Sequence, residues 1–190
     1  MPHEILRTAR FELVPVTLQM VEAIFFDREA QLAALVEATL PHPWPGRALI
    51  ERAFCADLAA IRQDPERRLW GDRIVVESGT RTDTSGRLDE ASQSRRVLGS
   101  VIFHGRPDPE GVVEVAYGIE RHSQGLGVAS EALHAQVRWA LAQPGVQRVR
   151  ATTPPWHAGS RRVLEKCGFT HVGDDEHESL GEVVVYSCDS

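Results

Sequence analysis

The stretch Gln124-Gly125-Leu126-Gly127-Val128-Ala129 decides the fold. It follows a strand-like run, Val112–Ile119, and opens a long helical run that begins near Val128. A glycine-punctuated turn between a strand and a helix exposes consecutive backbone N–H groups. With the positive end of the helix dipole behind them, these groups form a cradle for phosphate oxygens. Gly125 and Gly127 have no Cβ, so an anion can approach the backbone closely. Taken alone, the same turn also reads as a plain helix cap. The flanking sequence decides between the two.

Read as Gln-x-x-Gly-x-Ala, the six residues resemble the acyl-CoA pyrophosphate signature of the GNAT superfamily of N-acetyltransferases. Upstream, Glu114-Val115-Ala116-Tyr117-Gly118-Ile119 resembles that family's central strand. Downstream, Ser130-Glu131-Ala132-Leu133 resembles the start of its following helix. The run from Ser160 to Phe169 resembles the closing helix and Gly-Phe turn, and Thr8–Pro15 resembles the opening strand of the RimJ/RimL-like branch. The motifs stand in family order along most of the chain. The resemblance implies acetyl-CoA as cosubstrate and an amine as acceptor: a protein or peptide N-terminus for that branch, or a small amine of polyamine or aminoglycoside type. A non-catalytic module that senses acyl-CoA is the reading from a different class.

Composition agrees with one globular domain spanning residues 1–190. The chain has 190 residues, 42% hydrophobic and 25% charged, enough to bury a core. A formal net charge of -6 points away from nucleic acid and anionic membranes. Nearly all positive charge is arginine, Lys166 being the single lysine. Cys55, Cys167 and Cys188 are odd in number and widely spaced, which fits reduced cytoplasmic thiols and no zinc site. No metal-ligand spacing such as His-Glu-x-x-His occurs, so no metal is expected. The sequence carries no spanning apolar run and no leader pattern. Monomer and homodimer stay open.

Periodicity predicts strands over Ile5–Val14, Leu69–Glu77, Arg96–His104, Val112–Ile119 and Val146–Thr153, and a final hairpin from Phe169–Gly173 and Glu182–Cys188. It predicts helices over Thr17–Thr39 (with Thr17 as N-cap), Arg47–Arg62, Val128–Ala142 and His157–Cys167. Ser78–Ser94 is almost without apolar residues and reads as a flexible hairpin loop. The order implies an α/β (α+β) fold: a mixed, mostly antiparallel sheet of about seven strands flanked by about four helices. The resemblance adds that the central strand and the Val146–Thr153 strand run parallel and splay, with the thioester arm in the gap.

Acetyl transfer needs a held thioester, a neutral amine, a stabilised oxyanion and a protonated leaving thiolate. The resemblance places the pyrophosphate on Gln124, Gly125, Leu126, Gly127, Val128 and Ala129, and the pantetheine arm on the backbone of Tyr117, Gly118 and Ile119. A strand N–H near Gly118 or Ile119 is the expected oxyanion donor. Glu114 is the lone charge in an apolar strand. Partial burial would favour its neutral form and make it a usable general base; the competing reading is a structural glutamate paired to an arginine. Many relatives carry a tyrosine in the last helix where this chain has Leu164. Ser160 is then the candidate to hydrogen-bond the departing sulfur. His157 stands where the RimJ/RimL-like branch commonly has Asn. It reads as a pantetheine contact, a titratable acid or a plain helix-terminal residue. His42 and Trp44 fall where the family lines its acceptor pocket, and a packed proline-rich turn explains them as well.

Overall fold

Alternating burial along each strand sets the architecture of the computed structural model, which describes residues 4–42, 57–78, 95–177 and 180–189. In β2 (Phe11–Pro15), Phe11 and Leu13 are buried and Glu12 and Val14 half-buried. In β5 (Val112–Ile119), Val113 and Val115 are buried while Glu114 and Ala116 lie on the other face. The remaining strands are β1 (Leu6–Arg7), β3 (Arg73–Glu77), β4 (Val97–Phe103), β6 (Arg148–Thr153), β7 (Thr170–His177) and β8 (Gly181–Asp189). They form one eight-stranded sheet in the order β1-β2-β3-β4-β5-β6-β8-β7. Every neighbouring pair is antiparallel except β5–β6.

Two apolar clusters sandwich the sheet. On one face α5 (Val128–Leu141) and α6 (Ala158–Lys166) pack Leu133, Val137, Ala140 and Leu164 against Val75, Val101, Val113, Val115 and Val149. On the other, α1 (Leu18–Phe25), α2 (Glu29–Val36) and α3 (Leu58–Gln63) pack Val21, Ile24, Leu32, Val36 and Ile61 against Ile74, Val76 and Val97. A short α4 (Pro65–Arg68) follows α3.

The class is as expected, and the counts are higher for local reasons. The single strand expected over Ile5–Val14 is a hairpin, because Thr8 turns the chain: its N–H donates to Phe11 C=O at 2.9 Å and its hydroxyl accepts from Phe11 N–H at 2.9 Å. The helix expected over Thr17–Thr39 is two helices. Thr17 does cap it, accepting from Met20 N–H at 3.3 Å. Asp27 then breaks it by taking a left-handed conformation (φ 53°) that Asp tolerates, and Glu37 (φ 54°) ends the second part. Of the helix expected over Arg47–Arg62, the described part runs Leu58–Gln63 and is capped by Asp57, which accepts from Ala60 N–H at 2.7 Å. Beyond Ser78, the segment read as a flexible loop lies outside the described residues. Among the described residues no helix is long and apolar enough to cross a membrane.

Candidate active site

β5 builds the site because its two edges have different fates. Toward β4, His104 N–H donates to Glu114 C=O at 3.0 Å, and Glu120 N–H donates to Leu98 C=O at 2.8 Å. Backbone direction alternates along a strand, so Glu114, Ala116 and Gly118 direct their backbone groups to β4. The N–H and C=O groups of Val115, Tyr117 and Ile119 face the opposite edge. There β6 pairs with β5 only as far as Glu114, which is in register with Arg150. Beyond that point the parallel strands splay, and β5 offers an edge onto which an extended arm can add as a strand. One expectation is corrected: Gly118 turns its N–H to β4, opposite Ser100, so Tyr117 and Ile119 are the donors facing the gap. The Ile119 carbonyl is held by Gln124 Nε2 at 2.9 Å.

The gap ends at the glycine turn. Gly125 (φ 76°) and Gly127 (φ 79°) are both left-handed, which glycine adopts without strain. Gly127 is the N-cap of α5 and supplies no side-chain cap. The first intrahelical bond runs from Glu131 N–H to Gly127 C=O at 3.1 Å, so the amides of Val128, Ala129 and Ser130 precede it without a helical acceptor. Gln124 to Gly127 are exposed, and a Cβ built on Gly125 would meet nothing within 4 Å. The turn therefore fits a pyrophosphate: room, orphan N–H donors and a helix dipole. Leu126 keeps its side chain 63% exposed and contributes only backbone.

Side chains collect on both sides of the gap. On the face of α1 and α2, Glu114 is half-buried at the apex of the splay and accepts from Thr152 Oγ1 at 3.0 Å. His104 stands directly across the β4–β5 ladder from it. His104 keeps solvent-exposed surface, yet desolvation of its ring holds the imidazole below its ordinary value of 6.5; Glu114 pulls it up and His177 pushes it down. On the opposite face, the Tyr117 hydroxyl lies 2.9 Å from Ser160 Oγ and donates to Ser160 C=O at 3.1 Å. Burial pushes the Tyr117 phenol up to about 12, and its bond to Ser160 only partly offsets this.

The structure thus brings Glu114, Tyr117, Ile119, Ser160 and the glycine turn around one gap. His157 caps α6, with Nδ1 accepting from Ser160 N–H at 3.2 Å, and stacks on Trp156 at 5.7 Å. In the structure His157 is thus the helix N-cap of α6. Leu164 is fully buried in the core, away from the gap. His42 is exposed at the end of a described segment, and Trp44 lies outside the described residues. Sequence reasoning missed Thr152, His104 and Arg10, which reach the site across the sheet or from the far end of the chain. It also missed the Tyr117 side chain, although alternation puts Tyr117 on the same face of β5 as Val113 and Val115. Among the described residues no group of His, Cys, Asp or Glu could hold a metal ion.

Known proteins share this fold. A Vibrio cholerae structure of a putative ribosomal-protein-serine acetyltransferase superposes with a TM-score of 0.61 at 16% identity, covering 100% of this chain and 99% of that one. RimL, a ribosomal alpha-N-protein acetyltransferase in complex with coenzyme A, gives 0.61 at 13% identity, covering 98% of each chain. The microcin C7 self-immunity acetyltransferase MccE, in complex with acetyl-CoA and AMP, gives 0.60 at 14% identity, covering 100% of this chain and 98% of that one. In sequence, the uncharacterized N-acetyltransferase YjdG of Bacillus subtilis is 32% identical over 73 residues. That match spans 38% of this chain and 44% of YjdG, so the chain covers less than half of this curated relative. The model of the acetyltransferase (GNAT) domain matches residues 10–170. With that match over most of its length, and a glycine turn and splayed central strand fitted to acyl-CoA, the chain belongs to the GNAT family of acetyltransferases.

Proposed function

We propose that the protein is a single-domain, cytoplasmic N-acetyltransferase that moves the acetyl group of acetyl-CoA directly to a primary amine in a ternary complex. The observation that carries this is the splay of β5 from β6, with Glu114 at its apex and the glycine turn at its mouth. Gln124–Ala129 would hold the pyrophosphate, and Val115, Tyr117 and Ile119 would pair with the pantetheine arm through backbone. Acetyl-CoA supplies the activated acyl group as a thioester. The Tyr117 or Ile119 N–H faces the gap and would stabilise charge developing on the acetyl oxygen.

Base and hydroxyl pair sit on opposite faces of the gap. An amine entering from the face of α1 and α2 meets the Glu114 carboxylate, directly or through water, and can lose its proton there. The departing sulfur meets Ser160 on the other face. The single Tyr117 proton has two acceptors, Ser160 C=O and Ser160 Oγ; when it turns from the carbonyl to Oγ, the serine proton is free to point at that sulfur. The Tyr117 phenol, at about 12, stays protonated in the neutral range and acts as a donor, not as a titrating acid.

The acceptor of the RimJ/RimL-like branch, a protein or peptide N-terminus, is the first choice. The α-amino group titrates near ~8 and needs less help from Glu114 than a lysine or polyamine near ~10.4. His42 and Trp44 remain the proposed acceptor-side residues. The test is free-thiol release from acetyl-CoA against a panel of N-terminal peptides, polyamines and aminoglycosides. Turnover with peptides alone supports this acceptor, turnover with small amines replaces it, and tight binding without turnover on any amine makes the protein a sensor.

A further inference from the structure

Arg10 comes from the turn between β1 and β2, yet its guanidinium lies at the glycine turn, 116 residues away in sequence. Its backbone N–H and Nε donate to the two carboxylate oxygens of Glu131 at 3.0 and 2.7 Å. Its Nη1 donates to the Leu126 carbonyl at 3.0 Å, and its guanidinium packs over the Phe11 ring at 4.7 Å. A Cβ on Gly127 would stand 3.3 Å from its Nη2.

Two consequences follow. Leu126 C=O and Gly127 N–H belong to one peptide unit and point in opposite directions across a trans bond. Fixing the carbonyl on Arg10 therefore fixes the Gly127 N–H pointing away from Arg10. Glycines at 125 and 127 would otherwise let that peptide rotate freely. Second, Glu131 lies in the first turn of α5, where a bare carboxylate would repel an anion at the same helix end. Burial alone would push its carboxyl up. Hydrogen bonds from Thr8 and Arg10 and the Arg10 charge outweigh this and hold it below the ordinary 4.5, so it stays an ion paired to Arg10.

We propose that Arg10 is a positioning residue for the pyrophosphate of coenzyme A. It locks the Leu126–Gly127 peptide in its anion-accepting orientation and neutralises Glu131, without touching the phosphates itself. This rests on the glycine turn being the pyrophosphate site.

Calorimetric titration with coenzyme A, and separately with S-acetylpantetheine, which lacks the pyrophosphate, tests it. Arg10→Ala raises the coenzyme A Kd by roughly tenfold, the loss of one charge-assisted hydrogen bond, and leaves S-acetylpantetheine unchanged. Arg10→Lys behaves like Arg10→Ala, because one ammonium cannot hold Glu131 and the Leu126 carbonyl in a fork. Glu131→Gln also weakens coenzyme A, by loosening the fork. Wild-type affinity in Arg10→Ala, equal losses for both ligands, or tighter coenzyme A in Glu131→Gln each overturns the proposal; the last would mean Arg10 acts by direct charge. If Arg10→Ala does not fold, the Lys and Gln variants carry the test. The underlying site is checked with Gly125→Asp against Gly125→Asn. Both tolerate the left-handed backbone, and only Asp adds charge. Equal coenzyme A affinity in this pair removes the site itself. Weaker binding in Gly125→Asp beside wild-type affinity in Arg10→Ala removes only the role of Arg10.

Discussion

Glu114 shows how much one residue's chemistry depends on its neighbours. Period-two alternation alone assigns it to the face opposite Val113, Val115 and Tyr117. No local pattern says that Thr152 donates to it, or that His104 stands across from it. The arginine pairing that competed with the base reading is not what the structure shows: Arg150, beside Glu114 in register, binds Asp175 at 2.8 Å. Glu114→Gln keeps the shape and removes the proposed base. Its rate should fall on the order of 10²-fold near neutral pH and recover in part at alkaline pH, where the amine loses its own proton. Acetyl-CoA affinity should hold, since the proposed contacts to the arm are made by backbone. The same variant deletes the charge that pulls the His104 imidazole up, so its NMR titration midpoint should drop below the wild-type one. An unchanged pH–rate profile leaves Glu114 a structural role.

At the scale of elements, the site is a consequence of β5 and α6 meeting at Tyr117 and Ser160. The boundaries of β5 and the start of α5 are the same in sequence and structure, because strong alternation ends at a turn that only glycine builds easily. The start of α6 was legible too, but the capping role of His157 was not, since histidine is an uncommon cap. Nor was the Tyr117–Ser160 contact, which joins residues 43 apart in sequence. If that pair serves the departing sulfur, Ser160→Ala lowers kcat by roughly ten- to a hundredfold with KM for acetyl-CoA nearly unchanged. Tyr117→Phe gives a smaller drop, because the serine keeps its hydroxyl and loses only its orienting partner. A rise in KM alone in Ser160→Ala would make the serine a binding group instead.

Across the whole molecule, Arg73 is the least expected core residue. It is fully buried, donates to the Gly71 carbonyl and to Gln136 Oε1 at 3.0 Å each, and lies 4.1 Å over the Trp139 ring. It also donates to the Glu4 carbonyl at 3.3 Å, so one side chain joins the N-terminal segment, β3 and α5. Burial is the main reason its guanidinium is lowered to about 10, while Asp72 beside it counteracts. Arg73→Ala leaves the Glu4 carbonyl and Gln136 Oε1 short of a donor, leaves the Gly71 carbonyl with Gln136 Nε2, and opens a cavity against Trp139. We expect a loss of about 3–5 kcal/mol by denaturant unfolding, with Arg73→Lys recovering little because an ammonium cannot fork. A loss under about 1 kcal/mol would show that water or local repacking replaces it.

Sequence by itself determined what depends on neighbours along the chain: the alternation that makes β5, the glycines that take left-handed turns, and the Thr17 cap. Those effects act over a few residues, and their physics is complete within that span. The tertiary structure alone decided that Gly118 turns its N–H away from the gap, that Tyr117 meets Ser160 there, and that Arg10, Thr152 and His104 reach it. Such convergence depends on strand register and helix packing, where a residue's partners lie tens of residues away and are set by burial of the two cores, not by local preference.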